Sequence, residues 1–135
     1  MIKISDDEIK FINFFQNRTH ATVKDCIIDD SGVIVIVKGG QMGFAIGKKG
    51  EMINKLKKEV GREIHAYEHA DSPEEFIRNL LFPVRVERVE IAENKARVYV
   101  GEEDKKRAIG HGGKKINLVR ELAERHFGIK EVKVV

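Results

Sequence analysis

One stretch of ten residues occurs twice in this chain. Ala45-Ile46-Gly47-Lys48-Lys49-Gly50-Glu51-Met52-Ile53-Asn54 aligns without a gap onto Ala108-Ile109-Gly110-His111-Gly112-Gly113-Lys114-Lys115-Ile116-Asn117, and six of the ten positions are identical. Composition alone would give about one or fewer. The same offset of 63 residues lays Val23 on Val86, Ile28 on Ile91, Val35 on Val98 and Val37 on Val100. Matching residues that far apart in the chain mark a structural unit used twice. The duplication divides the 135 residues into a unit over 1–69 and a second over 70–135.

Each unit has a readable order of elements. The first opens with Ser5-Asp6-Asp7-Glu8, the pattern of a capping box, followed by Ile9, Phe11, Ile12 and Phe15 as an apolar stripe. The second opens with Ser72-Pro73-Glu74-Glu75, the same box with proline at the first helical position, where a missing amide costs nothing. Strands are expected near 22–29 and 33–38, and again near 84–91 and 95–101, joined by the turn formers Asp30-Ser31-Gly32 and Glu93-Asn94. A short helix, a glycine-bracketed loop and a longer helix follow. In the longer helix Ile53, Leu56 and Val60, and their counterparts Ile116, Val119 and Ala123, recur at helical spacing and can face a sheet. Closing strands are expected over Glu63 to Tyr67 and Ile129 to Val134.

The fold class is therefore α+β, with the order α-β-β-α-α-β twice and three strands per unit covered by helices on one face. A unit this small buries only about 60% of its unfolded surface, and the join from Tyr67 to Ser72 is short. Both facts favour two halves packed as one rigid unit.

Bulk composition narrows the function classes. The longest apolar run, Val33 to Val37, falls far short of the roughly 20 residues of a membrane-spanning helix, and the start has no leader pattern, so a cytoplasmic location is expected. Cys26 is the only cysteine, which excludes an internal disulfide and a thiolate metal cluster and favours a buried apolar role. Lys and Arg total 25 against 22 Asp and Glu, so net charge alone says little about a polyanionic partner.

The placement of charge says more. Glycine lacks a Cβ, so a strand of nucleic acid can approach Gly47-Lys48-Lys49-Gly50 and Gly110-His111-Gly112-Gly113 closely. The amides and dipole at the start of the following helix attract phosphate. Lys48 and Lys49 add charge specific to no base, His111 can donate to phosphate, and Ile46, Ile53, Ile109 and Ile116 offer apolar surface near bases. The second loop holds no lysine, and its nearest cations are Lys105, Lys106, Arg107, Lys114 and Lys115. A Gly-x-x-Gly segment can be nothing more than a tight turn, but two at matching places with basic neighbours argue for a ligand. Lys55, Lys57 and Lys58 read first as a solvated helix face.

An Ile-Gly-x-x-Gly loop between two helices of an α-β-β-α-α-β unit resembles the type II KH domain, whose loop clamps about four nucleotides of single-stranded nucleic acid. The segment Asp71-Ser72-Pro73-Glu74-Glu75-Phe76-Ile77-Arg78-Asn79-Leu80-Leu81-Phe82-Pro83 is similar to the opening helix of the second KH domain in the NusA family, above all its short archaeal members. The resemblance implies a single-stranded RNA-binding factor in transcription termination or antitermination. It places the RNA-binding residues at Ile46, Gly47, Lys48, Lys49, Gly50 and Ile53, and at Ile109, Gly110, His111, Gly112, Gly113 and Lys114. RNA polymerase or other transcription proteins are the implied protein partners. Bacterial members carry further domains that 135 residues leave no room for. The alternative is an adaptor in which the same scaffold docks on polymerase or the ribosome and binds RNA weakly.

An enzyme is not expected. Gly43-Phe44-Ala45-Ile46-Gly47-Lys48-Lys49 has three residues between glycines where a P-loop needs four, and Lys49 stands where Ser or Thr would hold Mg²⁺. A dinucleotide fold fails for want of alternating strands and helices. His65 and His69 lie on a strand running into a linker, not on one helical face, and no nucleophile or carboxylate pair accompanies His111. Neither a catalytic site, a metal, a cofactor nor a small-molecule substrate is expected.

Overall fold

The computed structural model describes residues 2–135; Met1, which begins the expected first unit and the stretch read as lacking a leader, lies outside them. The chain forms two compact units, one of Lys3–His69 and one containing Ala70–Val135.

In the first unit, helix α1 (Asp6–Thr19) starts at a complete capping box: Ser5 Oγ accepts the Glu8 amide at 3.2 Å and Glu8 Oε1 accepts the Ser5 amide at 2.9 Å. Such a cap contributes about 1 kcal/mol. Glu8 Oε2 also accepts the Ile28 amide at 3.1 Å, so one carboxylate starts the helix and pins it to the strand β1 (Val23–Asp29). β1 runs antiparallel to β2 (Gly32–Val37), and Asp29 closes the turn by accepting from the Ser31 amide and hydroxyl. From β2 the chain crosses through α2 (Met42–Ile46), one turn of 3₁₀ helix at Lys48–Gly50 and α3 (Glu51–Val60). It returns as β3 (Ile64–Glu68), parallel to β2 from Val33 opposite Ile64 to Val37 opposite Glu68. Val33, Val35 and Val37, every second residue of β2, share a core with Phe15 of α1, Ala45 of α2 and Leu56 of α3, which puts all three helices on one face of the sheet. Cys26 is fully buried in that core, as a small hydrophobe.

The second unit repeats the plan. Helix α4 (Pro73–Leu81) begins with Ser72 Oγ accepting the Glu75 amide at 3.2 Å, the serine half of the expected box. Strands β4 (Val86–Ala92) and β5 (Lys95–Val100) join through Glu93 and Asn94, both at positive φ, the geometry of a tight hairpin turn. The crossover runs through α5 (Lys105–Ile109), a 3₁₀ turn at His111–Gly113 and α6 (Lys114–Phe127) to β6 (Glu131–Val134), parallel to β5. Phe76, Val98, Leu122 and Ala123 are wholly buried, and Phe76 meets the Phe127 ring with centroids 5.6 Å apart. The expected order α-β-β-α-α-β is present in both units, as two three-stranded sheets.

Candidate nucleic-acid interface

The two glycine loops have nearly one backbone between them. Gly47 (φ 77°, ψ 172°) ends α2 and Gly110 (φ 82°, ψ 168°) ends α5. Each amide donates to the residue four back, Gly43 O at 2.9 Å and Lys106 O at 2.8 Å. The next glycines, Gly50 (φ 78°, ψ 11°) and Gly113 (φ 79°, ψ 9°), donate to Gly47 O at 3.2 Å and to Gly110 O at 3.1 Å. A Cβ on Gly47 would lie 2.7 Å from Met52 Cβ and 2.8 Å from its amide nitrogen, and one on Gly110 would lie 2.7 Å from both Lys115 atoms. No other residue fits, because the loop folds flat onto the first turn of the helix it starts. Between the glycines Lys49 takes the left-handed conformation (φ 55°, ψ 26°), where the second loop has Gly112 (φ 64°, ψ 19°). The first loop thus holds a lysine in a conformation that costs an L-residue about 1–2 kcal/mol.

Lys48, Lys49, His111, Gly112 and Lys114 are exposed, and Gly47, Gly50, Gly110 and Gly113 are partly so. Around the second loop a shallow hollow of about 440 Å³ is lined by Lys106, Ile109, Gly110, His111 and Gly112. Ile46 is half-buried against the core and Ile109 is 41% exposed. Ile53 and Ile116 are different. They are 8% and 4% exposed, because the apolar stripes of α3 and α6 turn them under the loops, so the apolar surface expected of them near bases is spent in the core. Lys57 lies 3.6 Å from Glu63, consistent with a solvated helix face. His65 is an exposed strand residue, and no group of three metal-ligating side chains occurs among the described residues. No described helix is long and apolar enough to cross a membrane.

The helix starts distribute charge differently. Helix α3 begins with Glu51 and Met52, whereas α6 begins with Lys114 and Lys115 and has no acidic residue in its first turn. A helix N-terminus already carries roughly half a positive charge, so the two lysines make the start of α6 the more positive of the two helix heads. Burial pushes the Lys115 ammonium down to about 8. Of the cations that the sequence sets near the second loop, Lys114 and Lys115 stand directly after Gly113, at the head of α6.

Two α-β-β-α-α-β units, each with a Gly-x-x-Gly turn inside its parallel crossover, define a tandem KH-domain protein. The KH domain family model matches residues 10–78 and the NusA-like second KH domain model matches residues 73–135. The probable transcription termination protein NusA of Halobacterium salinarum is 38% identical over 98% of both chains. Its namesake in Methanococcus vannielii is 34% identical over 99% of this chain and 80% of its own length. The transcription termination/antitermination protein NusA of Thermus thermophilus is 34% identical over 69% of this chain but only 25% of its own. Among solved structures, the crystal structure of APE1850 superposes with a TM-score of 0.81 at 30% identity, covering 98% of this chain and 100% of that one. The chain belongs to the NusA-like family of KH-domain transcription termination proteins.

Proposed function

We propose that this protein is a cytoplasmic, single-stranded RNA-binding factor of transcription termination or antitermination. In this reading it grips RNA phosphates at Gly47–Gly50 and Gly110–Gly113 and carries the RNA to RNA polymerase or associated transcription proteins. The observation that carries the reading is the near-identity of the two loop backbones. Six loop torsions agree within about ten degrees while the side chains between the glycines differ completely. A backbone kept while its side chains vary is what a phosphate cradle requires, since phosphate is met by main-chain amides at a helix start.

Each loop has its own source of charge. In the first, Lys48 and Lys49 reach out from the turn; in the second, His111 stands in the turn and Lys114 and Lys115 stand at the head of α6. Lys114 and Lys115 add to the positive end of the α6 dipole that a phosphate would meet. The test is competition between a single strand and its matched duplex for the protein at physiological salt. Preference for the single strand is expected, because the loop must approach a strand whose bases are splayed. Equal affinity for the two forms would remove the clamp mechanism. Single-strand affinity no tighter than non-specific levels would favour a protein-docking adaptor.

A further inference from the structure

Phe44 is 57% exposed, an aromatic ring left in water on the short helix α2. It stands three residues before Gly47, which caps that helix, and residues three apart on a helix are neighbours about 5–6 Å apart. The inward side of α2 is occupied by Ala45, which is fully buried, so Phe44 adds little to the core beneath it. Next to it the loop presents two exposed lysines, Lys48 and Lys49. An exposed apolar ring beside a cationic turn is the pairing that a nucleotide satisfies, since phosphate and base sit on one small unit. At the matching place the second unit has Arg107, exposed and 3.3 Å from Asp104, so the ring is a property of the first loop alone.

The geometry points to Phe44 as a base-stacking platform that makes the first loop sensitive to the presence of a base, while the second loop grips backbone charge. This deepens the RNA-binding reading and rests on it. Bases unstacked from a single strand stack on aromatic side chains regardless of identity, because every base has a π-face. Phe44 therefore selects single strand over duplex without selecting sequence.

The experiment uses the full chain and three oligonucleotides of twelve residues: oligouridine, oligoadenosine and an abasic strand with the same phosphates. Phe44→Ala should weaken both base-bearing strands about 5- to 150-fold, the equivalent of ~1–3 kcal/mol per stacked base. Its affinity for the abasic strand and its salt dependence should stay as in the parent. Phe44→Leu, apolar but not aromatic, should behave like the alanine variant. Phe44→Trp should retain affinity and, since the chain has no other tryptophan, should show fluorescence quenching on oligouridine but not on the abasic strand. Unchanged affinity of Phe44→Ala for oligouridine, with loss of binding in Lys48→Asp/Lys49→Asp, would leave the RNA clamp standing and overturn the platform, marking Phe44 as a protein contact instead. Equal weakening on the abasic strand would also overturn it, since the ring would then act on loop structure. Should the parent bind none of the three strands, platform and clamp fall together.

Discussion

Lys49→Gly should make the protein more stable and a poorer RNA binder at once. Lys49 sits at φ 55° and ψ 26°, and Gly112 occupies the same place in the second loop at φ 64° and ψ 19°. Releasing an L-residue from that conformation returns about 1–2 kcal/mol, and the added freedom of glycine in the unfolded chain takes back about 0.5–1 kcal/mol. The difference is about 0.5–1 kcal/mol in favour of the variant, a rise in melting temperature of about 2–8 °C for units of this size. On the RNA side, one lost phosphate contact makes the slope of log affinity against log salt shallower by about 0.7 for a single strand. The same slope makes the contact worth about fivefold at 0.1 M salt relative to 1 M. Thermal melts followed by circular dichroism give the first quantity, and anisotropy titrations with a labelled twelve-nucleotide RNA at several salt concentrations give the second. Lys49→Ala separates the two effects, for it loses the charge while keeping the strained backbone. A glycine variant that melts earlier than the parent, or one that binds with an unchanged slope, would refute the idea that strain is held at this position for the sake of contact with phosphate.

Three more outcomes are expected. Gly110→Ala should destabilise the second unit by at least about 2–3 kcal/mol, because its Cβ would lie 2.7 Å from Lys115 backbone nitrogen. Gly112→Ala, at a left-handed position with open space around it, should cost only about 1 kcal/mol; equal urea midpoints for the two would contradict the loop geometry. Lys115→Met, which copies Met52 of the first unit, should raise neutral-pH stability by about 1 kcal/mol, a figure reduced for the wet part of the side chain. The Lys115 ammonium is pushed below its ordinary 10.5 to about 8. The folded state thus sheds that proton first, and parental stability should climb between about pH 8 and pH 10.5. The climb should vanish in Lys115→Met. Burial raises the Tyr67 hydroxyl above 10.0, which sets a fall in stability above pH 10 in both proteins. Finally, twelve-nucleotide RNA should bind more tightly than a four-nucleotide fragment of it, by effective concentration between two clamps on one chain. Replacing His111 and Gly112 by aspartate should remove that gain, and equal affinity of the parent for both lengths would refute joint reading of one strand.

The duplication made the element order legible, because hydrophobic spacing and turn residues could be checked twice against each other. Boundaries moved where backbone bonds outside the ladders decide them. Ile129 and Lys130 were expected in the last strand, but their amides bond to Ala123 O and Asn94 O after the left-handed cap Gly128, so β6 starts at Glu131. Val84 was expected at the start of β4, but its amide donates to Leu81 O as the chain leaves α4. Within the candidate site the glycines were legible because spacing alone identifies them. The roles of Ile53 and Ile116 were not, since a residue at helical spacing beside a loop reads the same whether it faces a base or the sheet. The exposure of Phe44 and the burial of Lys115 left no signal either. One residue is conspicuous only through its exposure and the other only through its burial, and both are settled by tertiary packing.

Each Gly-x-x-Gly turn lies inside a crossover between parallel strands, from β2 to β3 and from β5 to β6. Parallel strands cannot be joined by a local hairpin, so Val33 and Ile64 are brought into register through the intervening helices. That makes the turn a latch on the crossover. A ligand that holds the turn acts on the crossover that joins the two parallel strands, and it adds about 2.7 kcal/mol to the folded form at a concentration one hundred times its dissociation constant. The edge strands β3 and β6 are therefore where bound RNA should be felt most, as slower amide hydrogen exchange in Ile64–Glu68 and Glu131–Val134, although neither strand belongs to the loops.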